Sequence, residues 1–424
     1  MKKIVVVGAG FAGWATALSI NKLFPWSEIT VIGSKEIGIL GAGEGTIPSI
    51  EEFLQTIEVD PLDLIKNCKA TIKYGIVFNG WDKNGSGSYM NPFRSHTASD
   101  RAHSHLNLKI DFKPLFCHLT DQNIDDYTLI GSYARNNKVF YDKNTLERTQ
   151  SKFVDNAYHF DAIETAEFLK QVAISRNIKY VDDIVTHFLQ KENGDIYKII
   201  TKHQEFDCDF VFDCSGFKRL IIGQLYKTKY ISVQDKLPVN RALPFFLPPR
   251  KETEPYTIAT AMNYGWCWQI PLQHRYGCGY VFDSTLCDDE TAKNEIKQKF
   301  GDVNVPRVFS FNAGYYEEFW KNNCIAIGLS NSFLEPLEAT SIWTTTSILT
   351  FLKFFIISMH KQDQEIIDAF NEKMRDTLSH IVDHLQFHYL NKRSNTEFWI
   401  KVNNGSISPQ MQENIKLWKY VMPD

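Results

Sequence analysis

The order of hydrophobic and polar positions predicts a strand, a helix and a second strand at the start of the chain. A β-branched run from Lys3 to Val7 stops at Gly8. Residues 14–24 then follow helical spacing, and residues 28–32 return to strand character. A strand, a tight turn, a helix and a strand in this order form a βαβ unit, which implies a parallel sheet.

The rest of the chain mixes both kinds of element. Residues 256–282 carry aromatic and β-branched side chains between turn glycines, which predicts antiparallel sheet. From Ser341 onward, helical periodicity dominates. The other predicted elements are a helix at 160–176, a strand near Tyr180, a strand at 209–212, and helices at 351–360 and 363–387. The sequence therefore predicts an α/β fold with an antiparallel sheet and a helical C-terminal part.

Composition and charge are those of an ordinary globular protein. The chain has 424 residues, and its net charge of −4 gives no electrostatic reason to bind nucleic acid or an anionic membrane. Its eight cysteines include no CxxC pair, which predicts free thiols and a cytoplasmic location. We interpret the N-terminal apolar run as a buried strand rather than a signal peptide. The apolar stretch 341–359 contains several threonines and is interpreted as a buried helix rather than a membrane span.

A GxGxxG motif lies between the first predicted strand and the first helix. It consists of Gly8, Gly10 and Gly13. In dinucleotide-binding folds the first glycine permits the tight turn and the second lets the backbone approach a pyrophosphate. The third lets the helix pack closely on the strand. The motif predicts that this helix N-terminus binds a dinucleotide, and it does not distinguish NAD from FAD.

One part of the dinucleotide pattern is missing. An acidic residue is expected at the end of the second strand, where it would bind a ribose hydroxyl. This chain has Gly33 and Ser34 there, and Glu36 lies too far along. Either Ser34 makes a weaker hydrogen bond or the ribose is held differently. The alternative that the glycines serve packing alone gains support from this departure.

Four longer stretches share their pattern with one known family. They are GAGFAGW at 8–14, GAGEGTIP at 41–48, WCWQIP at 266–271 and EPLEATS at 335–341. Shorter matches are AYHFDA at 157–162, DCSGF at 213–217, NNCIAIGLS at 322–330 and HYLNKRSNTEFW at 388–399. Together they resemble the flavin-dependent tryptophan halogenase family, in consistent order over nearly the whole chain. The WxWxIP string is the most specific match, because related flavin hydroxylases lack it.

The resemblance implies a Rossmann-type FAD-binding fold of the flavin monooxygenase kind. It would comprise a module at 1–345 and a helical part at 346–424. Within the module, the FAD segments would lie mainly in 1–50, 155–220 and 310–345, and a substrate-side sheet mainly in 65–150 and 225–310.

The resemblance also implies the reaction and the residues around the flavin. Reduced FAD, supplied by a separate reductase, would react with O2 and a halide ion to give hypohalous acid, which halogenates a separate aromatic substrate. The cofactor-binding residues would be Gly8, Gly10, Phe11, Ala12, Gly13, Ser34, Gly43, Glu44 and Gly328. Trp266 and Trp268 would form a barrier between flavin and substrate. Their alternative interpretation is packing, because alternate strand positions share one face.

Lys73 matches the catalytic lysine of the family, in a pattern that also includes Ala70, Phe78 and Trp81. Its neighbours are apolar, and desolvation lowers a lysine pKa and favours proton exchange. The implied role is to hydrogen-bond hypohalous acid, or to form a haloamine, and to transfer halogen to the ring. The alternative is a lysine paired on a sheet surface.

Glu338 matches the catalytic glutamate, and Glu335 is its structural competitor. A carboxylate near Lys73 would keep the lysine charged and would stabilise or deprotonate the cationic ring intermediate. The halide would lie against the backbone of Thr340 and Ser341, where a helix N-terminus suits an anion. The family usually has Ser-Thr-Gly where this chain has Ala339, Thr340 and Ser341, which leaves halide preference open.

The substrate contacts implied by the resemblance are Asn91, Pro92 and Phe93, with Asn91 replacing a family histidine. The aromatic and acidic substrate box of tryptophan-specific members has no match here, so the implied substrate is an indole or phenol rather than tryptophan itself. His380, His384 and His388 recur every four residues. We interpret them as a solvated or packed helix face, and we predict no metal site, although HxxxH spacing can bind zinc.

Two other functions remain open from the sequence. An FAD-dependent aromatic hydroxylase would use the same glycines, and a flavin-binding sensor would need no catalytic pair. The WxWxIP string and the pair of Lys73 and Glu338 favour the halogenase. A homo-oligomer is neither predicted nor excluded.

Overall fold

A computed structural model of the protein describes residues 1–38, 41, 43–93, 120, 128–142 and 155–420. The strands in these residues are β1 (Lys3–Val7), β2 (Glu28–Gly33), β3 (Glu44–Gly45), β4 (Thr71–Lys73), β5 (Gly75–Asn79), β6 (Ser88–Pro92), β7 (Ala157–Phe160), β8 (Lys179–Asp182), β9 (Val185–Gln190), β10 (Ile196–Thr201), β11 (Glu205–Asp207), β12 (Phe210–Asp213), β13 (Tyr230–Ser232), β14 (Arg241–Leu247), β15 (Thr257–Ala261), β16 (Gly265–Pro271), β17 (Tyr276–Phe282), β18 (Phe309–Ser310), β19 (Gly314–Tyr316), β20 (Trp320–Lys321), β21 (Cys324–Ala326) and β22 (Ser332–Phe333). The α-helices are α1 (Phe11–Leu23), α2 (Ser49–Thr56), α3 (Pro61–Asn67), α4 (Leu129–Arg135), α5 (Ala162–Ser175), α6 (Asp289–Phe300), α7 (Thr340–Leu352), α8 (Ile356–Lys361), α9 (Gln364–Tyr389), α10 (Glu397–Asn403) and α11 (Pro409–Leu417).

The predicted βαβ unit forms the centre of a six-stranded sheet. Strand β1 pairs in parallel with β2 on one side and with β12 on the other. The complete strand order is β20-β21-β12-β1-β2-β8. The helix α1 begins at Phe11, three residues before its predicted start. Gly10 has extended backbone angles and occupies the N-cap position, so the first helical residue is Phe11. The predicted strands, the α/β class and the helical C-terminal part are confirmed.

A seven-stranded sheet forms the second large layer, in the order β18-β14-β17-β16-β15-β5-β6. Its neighbours pair antiparallel, except that β15 and β5 are parallel. The predicted antiparallel segment 256–282 supplies β15, β16 and β17. Every residue of β16 and β17 is buried, which explains their continuous apolar and aromatic character.

A small sheet in the order β3-β7-β4 holds two functional segments side by side. Strand β7, from the AYHFDA stretch, pairs with β3 of GAGEGTIP on one edge. On its other edge it pairs with β4, which carries Lys73. The register sets Lys73 opposite Ala157.

The C-terminal helices pack over this core. The stretch Leu337–Lys361 is long and apolar enough to span a membrane by length and composition. Its central helix, α7, however packs against α1 and α2 and buries eight of its thirteen residues. A 3-10 turn at Lys353–Phe355 separates it from α8, where one helix was predicted across 351–360. The long helix α9 then runs back past the loop at 335–341.

Candidate active site

The three glycines of the N-terminal motif have different surroundings. A methyl group on Gly8 would lie 2.0 Å from the carbonyl oxygen of Cys214, and one on Gly13 would lie 1.9 Å from the carbonyl oxygen of Gly8. Neither position has room for a side chain. A methyl group on Gly10, in contrast, would meet no atom within 4 Å. Backbone atoms of the protein therefore fill the space beside Gly8 and Gly13. The space above Gly10 is free for a ligand such as a pyrophosphate.

The end of β2 differs from the usual dinucleotide pattern for a packing reason. A side chain on Gly33 would lie 2.3 Å from the Cβ atom of Ala9, so the motif loop itself leaves no room there. The hydroxyl of Ser34 accepts a hydrogen bond from the Glu36 N–H at 3.2 Å. Ser34 thus makes a local turn contact, and it retains an oxygen lone pair for a ligand hydroxyl.

The other residues expected at the cofactor lie near the start of α1. Phe11 stacks on Phe160 with ring centroids 5.5 Å apart. Gly328 has φ +72°, and its hydrogen faces Ala12, whose Cβ atom would be 2.8 Å from a methyl group at 328. The IGLS run therefore meets the N-terminal motif, as two segments of one cofactor site must.

Gly43 and Glu44 connect that region to the seven-stranded sheet. Gly43 has φ +122° and lies against Ile270 of the WxWxIP string. Burial raises the pKa of Glu44 to about 7, and the charge of Asp161 adds to the increase. Glu44 can therefore be protonated or charged near neutral pH.

Trp266 and Trp268 lie on one face of β16, as alternate positions predict. Their ring centroids are 6.4 Å apart. The ring of Trp268 fills the space above Gly279, where a methyl group would lie 2.1 Å from it. The Trp266 ring also packs near Trp81, with ring centroids 6.1 Å apart. Both side chains are buried, so the strand presents a continuous aromatic wall.

Lys73 is almost completely buried, with 1% of its surface exposed. Burial lowers its pKa from 10.5 to about 8, although the charge of Glu338 favours the ammonium form. The Nζ atom lies 5.4 Å from the centroid of the Phe93 ring. Among the described residues no hydrogen bond or ion-pair contact to Nζ is found, so its protons are available to a bound molecule.

The sheet register explains why Phe93 reaches Lys73. Strands β5 and β6 pair so that Gly75 faces Pro92 and Ile76 faces Asn91. One residue further, the Phe93 N–H donates to the Tyr74 carbonyl at 2.8 Å. The stretch Asn91 to Phe93 therefore runs directly beside the residues that follow Lys73.

Glu338 lies on a strained loop that precedes α7. Glu338 and Ala339 both adopt left-handed backbone angles, with φ of 60° and 57°. Asn91 donates a 3.3 Å hydrogen bond to Glu338 Oε1. His388 Nε2 lies 3.2 Å from the same oxygen, although the alignment is not that of a hydrogen bond. Such angles cost energy in a non-glycine residue, so the surrounding structure must hold this loop in place.

The charges around Glu338 keep it ionised. Burial alone would raise the pKa of this carboxyl. The imidazole of His388, the ammonium of Lys73 and the imidazole of His384 outweigh burial and lower the pKa to about 2. Within the described residues, Lys73 and Glu338 form no ion-pair contact, although the charge of each shifts the pKa of the other.

Gly45 marks the point where three predicted segments converge. A methyl group there would lie 3.4 Å from Lys73 Nζ and 3.8 Å from the Cβ atom of Ala339. The GAGEGTIP segment, the lysine strand and the EPLEATS loop are therefore neighbours. A residue larger than glycine at 45 would press on the lysine.

The competitor, Glu335, is completely buried and takes part in a different network. Burial raises its pKa to about 8, while a hydrogen bond from Tyr389 partly opposes the increase. That hydroxyl donates to Glu335 Oε2 at 2.9 Å, and it accepts a 2.9 Å hydrogen bond from the indole of Trp266. Glu335 thus links its loop through Tyr389 to Trp266 of β16, and of these two glutamates Glu338 is the one near Lys73.

Sequence reasoning missed two histidines of the site. His159, on β7, is completely buried, and its ring nitrogens contact the hydroxyls of Thr71 at 3.0 Å and Thr257 at 2.9 Å. Burial and the charge of Lys73 hold its pKa well below 6.5, so it is neutral. Its place in the AYHFDA stretch, which resembles the family pattern, was the available signal.

The second is His388, whose ring stacks on Phe78 at 5.0 Å. Phe78 belongs to the sequence pattern around Lys73, and its other face stacks on Tyr89 with ring centroids 5.1 Å apart. The phenylalanine of that pattern therefore positions an imidazole beside Glu338. The histidine spacing predicted a helix face but not this contact.

The expected halide residues lie at the start of α7. Thr340 is its first residue, and Ala339 provides no side-chain hydrogen bond to the first turn, whose N–H groups have no partner within the helix. Such unpaired N–H groups, together with the helix dipole, suit an anion.

Comparisons with known proteins all lead to one family. A family model described as tryptophan halogenase matches residues 3–422. Tryptophan 6-halogenase SttH of Streptomyces toxytricini is 30% identical over 451 residues, which cover 100% of this chain and 84% of that protein. Tryptophan 7-halogenase RebH of Lentzea aerocolonigenes is 29% identical, covering 98% of this chain and 82% of that protein.

Solved structures extend the similarity to the fold. The crystal structure of SttH superposes with a TM-score of 0.87 and covers 100% of this chain and 86% of that chain at 28% identity. The flavin-dependent halogenase BrvH of Brevundimonas sp. BAL3 gives a TM-score of 0.86 at 29% identity and covers 99% of this chain and 84% of that chain.

Proposed function

Because this chain belongs to the tryptophan halogenase family of flavin-dependent enzymes, we propose that it makes hypohalous acid from reduced FAD, O2 and halide and halogenates an electron-rich aromatic ring between Lys73 and Glu338. The observation that carries the proposal is the arrangement of these two residues. Within the described residues, the buried Lys73 ammonium has no hydrogen-bond or ion-pair partner and faces Phe93, and the ionised Glu338 lies nearby without contacting it.

The cofactor residues would bind FAD along α1 and the GAGEGTIP segment. They are Gly8, Gly10, Phe11, Ala12, Gly13, Ser34, Gly43, Glu44 and Gly328. The free space above Gly10 supports this placement, because it is the one of the three motif glycines that leaves room for a pyrophosphate. Reduced flavin and O2 would supply the oxidising power that converts halide to hypohalous acid. The halide would bind at the N–H groups of Thr340 and Ser341.

Lys73 would deliver the halogen to the substrate. As an ammonium it donates a hydrogen bond to hypohalous acid, which makes the halogen more electrophilic. As a neutral amine it would displace hydroxide from the halogen, forming a haloamine with loss of water. A pKa of about 8 leaves both protonation states accessible near neutral pH.

Glu338 would act on the substrate ring. Addition of an electrophilic halogen gives a cationic ring, which a nearby carboxylate stabilises before it accepts the proton that leaves. Asn91 and His388 would hold the carboxylate in place. The aromatic wall of Trp266 and Trp268 would keep substrate away from the flavin, so that the ring is halogenated rather than hydroxylated.

The proposed substrate is an indole or a phenol. Phe93 offers a ring for stacking beside Lys73, and Asn91 adds a polar contact. The named relatives SttH and RebH act on tryptophan, but the aromatic and acidic box expected for free tryptophan was not located in this sequence. We therefore propose the broader aromatic class.

A separate flavin reductase would supply the reduced cofactor in the cytoplasm. No second dinucleotide motif for NAD(P)H was found in the sequence, and the acidic ribose partner at the end of β2 is absent, which suggests weak FAD binding. The purified protein should therefore oxidise NADH only when a reductase is added.

One assay tests the proposal. The protein is incubated with FAD, a reductase, NADH and a series of indoles and phenols, with chloride, bromide or iodide. Products whose mass follows the halide supplied would support halogenation. Products that gain one oxygen whichever halide is present would show that the protein is a hydroxylase instead.

A further inference from the structure

Three potential metal ligands meet where α9 passes the 335–341 loop. His384 and His388 are one helical turn apart, with ring centroids 5.2 Å apart. The loop brings Glu338 to the same place, with Oε1 3.2 Å from His388 Nε2. The ligand atoms of the three side chains all lie within 4.8 Å of one another.

The surroundings of His388 provide a second observation. Its side chain is nine-tenths buried, and its Nε2 atom faces Glu338 Oε1 at 3.2 Å without a well-formed hydrogen bond to any atom in the described part of the chain. The ring is fixed by stacking on Phe78 and cannot easily turn away. A buried polar atom normally has a partner, because an unpaired one loses its interaction with water. A cation between His388 and Glu338 would provide that partner.

We propose that Glu338, His384 and His388 bind a single zinc-like divalent cation. The ligand set of two imidazoles four residues apart on a helix and one carboxylate from another segment is common for Zn²⁺. Mg²⁺ and Ca²⁺ prefer several oxygen ligands and would not be held by a single carboxylate. The fourth coordination position would be open to water.

The geometry needs only a small adjustment. Zn²⁺ binds these ligands at about 2.0–2.2 Å in a tetrahedron, so neighbouring ligand atoms lie about 3.3–3.5 Å apart. His388 and Glu338 already have nearly this separation. His384 is exposed, so a cation can reach the site from solvent, and a rotation of this side chain would bring its ring nitrogen closer to the pair.

The consequence of binding rests on the proposed role of Glu338. A bound cation would occupy the carboxylate that is proposed to accept the ring proton, and its positive charge would oppose the cationic ring. Zinc would therefore inhibit halogenation reversibly, and a chelator would restore it. Binding itself does not depend on the proposed reaction.

Equilibrium binding tests the site directly. Chelator-treated protein, without flavin or substrate, is titrated with Zn²⁺ in competition with a chromophoric chelator. We expect one zinc per chain at this site. Loss of even an outer contact typically weakens metal binding about 10- to 100-fold, so His384→Ala and His388→Gln should each weaken it at least that much. His384 is exposed, so its variant should fold normally.

The matched control is His380→Ala, because His380 is also exposed and lies one turn before His384. This variant should bind zinc like the wild type. Wild-type affinity in His384→Ala, or equal losses in His380→Ala and His384→Ala with none in His388→Gln, would overturn the site.

Inhibition is measured separately, in the halogenation assay. Zinc should inhibit the wild type at the concentrations at which it binds, and His384→Ala should resist inhibition. If zinc binds with the expected variant pattern but does not inhibit, the inhibitory consequence is wrong while the site stands. If the wild type shows no halogenation at all, the proposed function fails while the binding result is unaffected.

Discussion

The indole N–H of Trp266 donates a 2.9 Å hydrogen bond to the hydroxyl of Tyr389. Tyr389 passes the interaction on to Glu335, and its neighbour His388 faces Glu338. The last turn of α9 therefore contacts both the aromatic wall and the loop that carries the proposed catalytic carboxylate.

Tyr389→Phe should destabilise the protein. It would leave the buried Trp266 N–H and the Glu335 carboxyl without their shared partner, which typically costs about 1–3 kcal/mol. Urea unfolding at pH 7 would measure the loss. Tyr420→Phe is the control, because Tyr420 is 87% exposed, and it should change the free energy of unfolding very little. Equal stability of the two variants would contradict the network.

Lys73→Ala should abolish halogenation while FAD binding survives. The ammonium is proposed to act on the substrate side of the aromatic wall, so its loss should not disturb the glycines around the cofactor. The mass of the product reports halogenation, and a flavin fluorescence titration reports FAD binding. Lys66→Ala is the control, because Lys66 is an exposed residue of α3. Normal turnover by Lys73→Ala would refute the assignment.

Glu338→Gln should lower the rate of halogenation by about 10²-fold, which corresponds to about 2–3 kcal/mol of transition-state stabilisation. Reoxidation of reduced flavin in the presence of halide should stay at the wild-type rate, because the halide is proposed to contact Thr340 and Ser341 instead. Stopped-flow absorbance follows the flavin, and quenched samples follow the product. If both steps slow together, Glu338 acts near the flavin or supports the fold.

Lys73→Met should stabilise the protein at pH 7. The pKa of Lys73 is about 8 in the folded state against 10.5 as the ordinary value, so the unfolded chain holds its proton more tightly. Burying the charged Lys73 therefore lowers the free energy of unfolding of the wild type by up to about 3 kcal/mol. This loss of stability is complete below pH 8 and becomes smaller as the pH rises toward 10.5. The stability difference between variant and wild type should therefore narrow between pH 7 and pH 9.5 in denaturant unfolding. A constant difference would mean that the lysine is not buried as a charge.

Gly10→Ala and Gly13→Ala should fail for different reasons. The added methyl group at Gly10 meets nothing within 4 Å, so this variant should fold normally and bind FAD weakly. At Gly13 it would overlap the backbone of Gly8, so this variant should lose stability. Thermal unfolding and a flavin titration separate the two effects. Equal FAD affinity in Gly10→Ala and wild type would place the cofactor elsewhere.

Short-range patterns predicted much of the fold. The β-branched run ending at Gly8 identified β1, and the WxW spacing placed Trp266 and Trp268 on one face. Side-chain contacts between distant segments could not be predicted in the same way. Asn91 and Glu338 are 247 residues apart in sequence, and their contact depends on the register of β6 and the path of a strained loop.

The histidine stripe shows the same limit. Four-residue spacing predicts that His384 and His388 share a helix face, but not which residue that face meets. A single sequence without related sequences carries no information on that partner. The structure supplied it, because α9 passes the loop at Glu338.

The strained pair Glu338 and Ala339 has a consequence for chimaeras in which the C-terminal helices are exchanged between related enzymes. Each left-handed residue costs about 1–3 kcal/mol, so the loop depends on outside support, and His388 and Tyr389 provide it from α9. A chimaera that receives its C-terminal helices from a relative would also receive a different support for its reaction centre. The rate of halogenation would then change with the C-terminal helices, although Lys73 and Glu338 both lie outside them.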